Sequence, residues 1–168
     1  MTVVALPDAE QLLAALTAQM RPHVSAQTGL IGIVTGGAWL AERLHAALKL
    51  EVPFGTLDVS FYRDDFQHKG LKHQVTPSEI PFEVEGRDLI LVDDVLYTGR
   101  TIRAAMNELF DYGRPASIRL AALIDRGGRE LPIAAQFAGA TLEISAQFSI
   151  DLEQTEGGKL RLVLQMKS

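Results

Sequence analysis

Leu89-Ile90-Leu91-Val92-Asp93-Asp94-Val95-Leu96-Tyr97-Thr98-Gly99-Arg100-Thr101, followed by IRAAMNELF to Phe110, is the stretch on which the reading of the whole chain turns. Its first four residues are a continuous apolar run, too short for a helix and consistent with a strand buried on both faces, which means a parallel sheet. The run ends in two carboxylates. A short turn rich in Gly and Thr follows, and then apolar residues at 102, 105, 106, 109 and 110 mark one face of a helix. A turn of this kind at a helix N-terminus is an anion site, because the first amides of the helix lack intrahelical acceptors and the helix dipole favours negative charge. Adjacent carboxylates are wrong for a phosphate. They suit sugar hydroxyls or a hydrated divalent cation, so the two halves together fit a ribose phosphate. A plainer reading, in which Thr98 or Thr101 only caps the helix, leaves the two aspartates at the end of a buried strand without a purpose.

The chain around this stretch repeats the pattern. Pro7 and Asp8 open a helix carrying Leu12, Leu13, Leu16 and Met20, limited by Pro22. Residues 30–34 read as a second buried strand, and Thr35-Gly36-Gly37 then forms another candidate anion loop before a helix with Leu40, Leu44 and Leu48. Residues 56–61 alternate as a strand and give way to the long polar segment YRDDFQHKGLKHQVTPSE, a lid or a surface hairpin, in which Arg63, Lys69 and Lys72 could close over a pyrophosphate. Gly113 and Pro115 stop the central helix, and residues 118–124 form a strand ending in Asp125. Ligands of open α/β sheets bind beyond the carboxyl ends of the strands, which places Asp125-Arg126-Gly127-Gly128 beside the central loop. The tail alternates at Phe148, Ile150 and Leu152, turns at Gly157-Gly158 and alternates again from Leu160, which reads as a β-hairpin covering either the rest of this chain or another subunit.

Composition excludes several classes. With 168 residues, 47% hydrophobic and 22% charged, the expectation is one globular domain over residues 1–168. The absence of cysteine removes disulfides, thiolate nucleophiles and cysteine-ligated zinc. His23, His45, His68 and His73 lack a metal-binding spacing, and neither GxSxG nor GxxxxGK[ST] occurs. No apolar run reaches about 18 residues and no basic-then-apolar leader opens the chain, so a cytoplasmic protein with no membrane contact is expected. A formal charge of −5 offers no general attraction to nucleic acid.

VDDVLYTGRT at 92–101, LDVSFYRDD at 57–65 and IDRGGRELPI at 124–133 jointly resemble the PyrR family within the type I phosphoribosyltransferases. That resemblance implies a mainly parallel sheet flanked by helices, a flexible flap over residues 62–80, and a small hood over residues 125–168 that includes the C-terminal hairpin. It implies conversion of uracil and 5-phosphoribosyl 1-pyrophosphate (PRPP) to UMP and diphosphate with Mg²⁺, by a protein that is a homodimer or a higher homo-oligomer. Asp93, Asp94 and Arg63 take the catalytic places, with Mg²⁺ carried by PRPP and reached by Asp93 and Asp94. Val95, Leu96, Tyr97, Thr98, Gly99, Arg100 and Thr101 would hold the nucleotide, with Thr35, Gly36 and Gly37 on the pyrophosphate. Asp125, Arg126, Gly127 and Arg129 would form the base-reading hood. A second function implied by the family is UMP- or PRPP-dependent binding of pyrimidine-operon mRNA, by a regulator with weak or no catalysis. Two departures stand out. Gly36 replaces an arginine usual in the pyrophosphate loop, a loss on the order of 1.5–3 kcal/mol of interaction, so that Gly36→Arg is expected to raise turnover with PRPP. Gly128 and Ala134 replace basic hood residues, which leaves Arg21, Arg126 and Arg129 as contacts for RNA phosphates.

Overall fold

The computed structural model describes residues 5–59 and 78–168. Asp8 sits in extended backbone and its carboxylate accepts from the amides of Glu10 (2.8 Å) and Gln11 (3.1 Å), and this cap starts α1 at Ala9–Met20. There follow β1 (Gly29–Ile33), α2 (Gly36–Leu48), β2 (Gly55–Leu57), β3 (Asp88–Leu96), α3 (Arg100–Leu109), β4 (Ser117–Asp125), β5 (Phe137–Thr141) and an antiparallel pair, β6 (Phe148–Gln154) and β7 (Leu160–Met166). The first five strands form one wholly parallel sheet in the order β2-β1-β3-β4-β5.

Alternation along β3 shows why a continuous apolar run was needed. Leu89 and Leu91 pack into one layer with Ile102, Ala105 and Leu109 of α3, while Ile90 and Val92 enter the other with Leu12 and Leu16 of α1 and Leu40 and Leu44 of α2. Each such side chain contributes roughly 1.5–3 kcal/mol on burial. The hairpin joins the second layer through Ile150, Leu152 and Leu160, so that part of its apolar face is covered within this chain, while Met166 at the end of the face is 70% exposed. Glu10 reinforces that closure: its carboxylate takes a forked pair of bonds from Arg43 of α2 and accepts from the Leu160 amide at 2.9 Å. These two donors hold the Glu10 carboxyl below its ordinary range.

The fold departs from the sequence reading in three places. The first buried strand covers 29–33 rather than 30–34. The strand expected at 56–61 is regular only at Gly55–Leu57; its last two residues, and the flap residues Arg63, Lys69 and Lys72, lie outside the described residues. The C-terminal end of the expected flap is anchored, since the Ser78 hydroxyl accepts from the Asp58 amide (3.2 Å) and Glu79 pairs with Thr56. Third, β5 was not anticipated at all, because Phe137-Ala-Gly-Ala-Thr141 has neither a β-branched run nor clear alternation. Among the described residues no helix is long and apolar enough to cross a membrane.

Candidate active site

In a sheet of order 2-1-3-4-5 the connections change direction between β1 and β3, and a crevice opens there beyond the strand ends. Every predicted loop within the described residues meets at this end of the sheet. The loop after β1 carries Thr35, Gly36 and Gly37; the loop after β3 carries residues 97–99; the loop after β4 carries residues 126–136. The last two are joined directly: the Arg126 amide donates to the Leu96 carbonyl (3.1 Å), and the Glu130 and Leu131 amides donate to the Thr98 carbonyl (2.9 and 3.2 Å).

The anion loop is built as its sequence requires. Gly99 is the N-cap of α3 at φ +95°, a left-handed conformation that a side chain disfavours, and a Cβ there would lie 3.0 Å from Ile133 Cγ1. Thr98 is 8% exposed and its hydroxyl accepts from the Arg100 amide at 3.2 Å. Thr98, Gly99 and Thr101 line an open cleft of about 170 Å³. The Arg100 side chain turns outward instead and pairs with Glu130 at 2.8 Å on the surface.

Asp93 and Asp94 do not act side by side. Because β3 continues through both, their side chains leave on opposite faces. Asp93, 5% exposed, lines the cleft with the anion loop. Asp94 lies against the other loop: a Cβ on Gly36 would sit 2.5 Å from its Oδ2 and 2.9 Å from its Cγ. Gly37 is packed equally tightly, its Cβ position falling 2.3 Å from the Val92 carbonyl oxygen. Thr35 precedes α2 and is exposed, without a side-chain capping bond. The loop 35–37 is thus laid on the end of β3, with the Asp94 carboxylate against Gly36.

Of the four predicted hood residues, Arg126 lines the cleft, whereas Asp125, Gly127 and Arg129 are not part of its lining. Arg126, expected to meet the base or an RNA phosphate, is 4% exposed, and its guanidinium donates to the carbonyls of Phe148 (2.9 Å), Ser145 (3.0 Å) and Ile144 (3.3 Å). Burial lowers its pKa, though a guanidinium stays protonated. Arg129 is equally committed, to the carbonyls of Tyr97 (2.7 Å) and Ile133 (2.8 Å) and to Asp125 at 2.6 Å. Burial opposes ionisation of Asp125, but Arg129 and the Gly127 amide outweigh it and leave the carboxyl below the ordinary range. Asp125, Gly127 and Arg129 therefore shape the loop from behind the cleft, while Val95, Leu96 and Tyr97 form a cleft wall.

The cleft is also lined by residues that the sequence reading did not assign to the site: Ser149, Ile150 and Asp151 of β6, Lys167 after β7, and Ile102 of α3. The alternation that revealed the hairpin puts Ser149 and Asp151 on the face opposite Ile150 and Leu152, yet all three residues 149–151 line the cleft, which nothing local foretells. No group of three or more His, Cys, Asp or Glu residues able to hold a metal occurs among the described residues.

A parallel sheet with the order 2-1-3-4-5, an anion loop at the start of α3, acidic residues ending β3 and a hood over the strand ends define a type I phosphoribosyltransferase fold. The phosphoribosyl transferase domain model matches residues 2–153. Solved structures agree on the fold: a Bacillus anthracis hypoxanthine-guanine phosphoribosyltransferase superposes with a TM-score of 0.62 at 18% identity, covering 83% of this chain and 84% of that one. A Trypanosoma cruzi hypoxanthine phosphoribosyltransferase in a ternary substrate complex gives 0.63 at 22% identity, over 82% and 80%. Two curated proteins named bifunctional protein PyrR are much closer in sequence. The one from Pseudomonas entomophila is 53% identical over 88% of both chains, and the one from Pseudomonas syringae pv. syringae is 50% identical over 94% of this chain and 95% of its own. The chain belongs to the PyrR family of phosphoribosyltransferases.

Proposed function

We propose that this protein transfers the 5-phosphoribosyl group of PRPP to uracil, giving UMP and diphosphate, and that this activity is tied to control of pyrimidine synthesis. One observation carries the reading: a single cleft joins the anion loop at Thr98, Gly99 and Thr101, the carboxylate of Asp93, and a mostly apolar slot at Val95, Leu96 and Ile150, with Asp94 on the opposite face of β3 against the 35–37 loop. These are the complements of a 5′-phosphate, ribose hydroxyls and a flat pyrimidine. In this reading Thr98 and the first-turn amides of α3 fix the phosphate, Asp93 accepts from the ribose, and Val95 and Leu96 orient the ring toward the anomeric carbon. Mg²⁺ bound to PRPP would neutralise the departing pyrophosphate; one or two carboxylates plus substrate phosphates suit that ion, and in this reading Asp94, which lies against Gly36 of the 35–37 loop, would be one of them. Catalysis is then positioning and charge stabilisation with no covalent intermediate. Labelled uracil incubated with PRPP is expected to yield UMP only when Mg²⁺ is added; no UMP under any Mg²⁺ concentration would sink the proposal.

The relatives' description as bifunctional supports an RNA-binding regulator as a second reading. The hood contributes little to it, because Arg126 and Arg129 spend their donors on backbone carbonyls and Asp125, and Gly128 and Ala134 carry no charge. Arg21, exposed and bonded to the Ala47 carbonyl, is the one remaining cation of the three read from the sequence. Affinity for a pyrimidine-operon leader is expected near the non-specific range, roughly 10⁻⁴–10⁻⁶ M at physiological salt, with a shallow salt dependence. A gel-shift titration with and without UMP checks this, and nanomolar, UMP-dependent binding would put the regulator first.

A further inference from the structure

Arg126 joins two elements that both line the cleft. On the β3 side its amide donates to the Leu96 carbonyl, and its guanidinium carbon lies 4.1 Å from the centroid of the Tyr97 ring. On the hood side its two terminal nitrogens donate to the carbonyls of Ile144, Ser145 and Phe148, the last of these the first residue of β6. Residues 95–97 and residues 149–151 line the same cleft, and so does Arg126 itself. One buried side chain, set over an aromatic ring and forked to backbone carbonyls, therefore ties these two parts of the lining together, in addition to the apolar packing of Ile150, Leu152 and Leu160 and to Lys167, whose ammonium lies 5.2 Å from the centroid of the same ring.

Gly128 completes the arrangement. A Cβ on Gly128 would fall 2.4 Å from Tyr97 Cε1, so the ring lies where a side chain at 128 would begin. The missing hood side chain at this position is what admits Tyr97 to its place against Arg126. The anion loop is held by other means, through Glu130 and Leu131 to the Thr98 carbonyl, Arg129 to the Tyr97 carbonyl, and Ile133 against Gly99.

We propose that Arg126 and the Tyr97 ring form a latch that sets the hood hairpin over the base half of the crevice, making Arg126 a positioning residue for the nucleobase and not for the ribose phosphate. The proposal rests on the nucleotide reading above for the identity of the ligand. A lysine cannot substitute, because a single ammonium group cannot both stack on the ring and fork to separate carbonyls.

The test compares UMP with ribose 5-phosphate, which has the phosphate and sugar but no base, in wild type, Arg126→Met, Arg126→Lys and Gly128→Ala. Calorimetric titration is paired with hydrogen exchange over residues 148–154. Arg126→Met and Gly128→Ala are expected to weaken UMP by about 10-fold or more while ribose 5-phosphate stays within about twofold, and to speed exchange in the hairpin but not in β3 or β4. Arg126→Lys should resemble Arg126→Met. Parallel loss of both ligands would reveal a general structural defect and overturn the proposal, as would unchanged UMP affinity. If wild type binds UMP no better than ribose 5-phosphate, the uracil reading fails and the base-side role with it. Exchange then still judges the latch itself: acceleration confined to 148–154 supports it, and unchanged exchange overturns it.

Discussion

Thr98→Val is expected to weaken PRPP, UMP and ribose 5-phosphate together, by about 10- to 150-fold, as the loss of one charge-assisted hydrogen bond of roughly 1.5–3 kcal/mol implies. The substitution keeps the β-branched shape of a residue that is 8% exposed and removes only the hydroxyl. That hydroxyl accepts from the Arg100 amide, so it fixes the start of α3 as well as serving the ligand. The structural share of the loss should be small, and the Thr98 carbonyl keeps its bonds from Glu130 and Leu131. A melting temperature lowered by more than about 2–4 °C would correspond to over 1 kcal/mol of stability in a domain of this size, and would assign the effect to folding. Three ligands sharing a phosphoribosyl group should lose affinity by the same factor. Unchanged affinities would remove the phosphate from this loop.

Gly36→Arg is expected to lower affinity for PRPP by about 10-fold or more while UMP, which lacks the pyrophosphate, changes little, reversing the result suggested by the family pattern. In the sequence alone, position 36 is a missing cation. In the structure it is a space that Asp94 uses: the new Cβ would lie 2.5 Å from Asp94 Oδ2, and the carboxylate must leave its place before any guanidinium can reach a pyrophosphate. Asp94→Asn should therefore reproduce most of the effect, and the double variant should lose far less than the sum of the two, the signature of a shared contact. Gly36→Ala supplies the Cβ without the charge and isolates the steric part. A rise in kcat/KM for PRPP in Gly36→Arg, with UMP affinity unchanged, would show that the carboxylate moves aside at little cost and that the charge dominates.

What the sequence determined unaided is the set of features governed by neighbours along the chain. The buried run 89–92, the turn at 97–99 and the amphipathic α3 follow from periodicity over a few residues; the start of α1 follows from the short reach of the Asp8 carboxylate to two amides. The hairpin at 148–166 was legible for the same reason, with Gly157-Gly158 at its turn. The candidate loops were legible because each follows a strand whose end a parallel sheet must bring to the same side.

Contacts between residues distant in the chain were decided by tertiary packing alone. Whether β3 runs on through Asp94 settles that the two aspartates face apart, and a pair of letters cannot state it. The roles of Gly36 and Gly128 are set by Asp94 and Tyr97, side chains 58 and 31 positions away, occupying the room a Cβ would need. Arg126 looks from its loop like a surface cation; only the return of β6 beside it supplies the carbonyls that bury it. β5 is a strand because β4 offers it a free edge and α1 covers it, and its own five residues carry almost no preference. Local preferences amount to a few tenths of a kcal/mol per residue, whereas burial of a single core side chain exceeds them several-fold, so wherever the two compete the assembled fold decides.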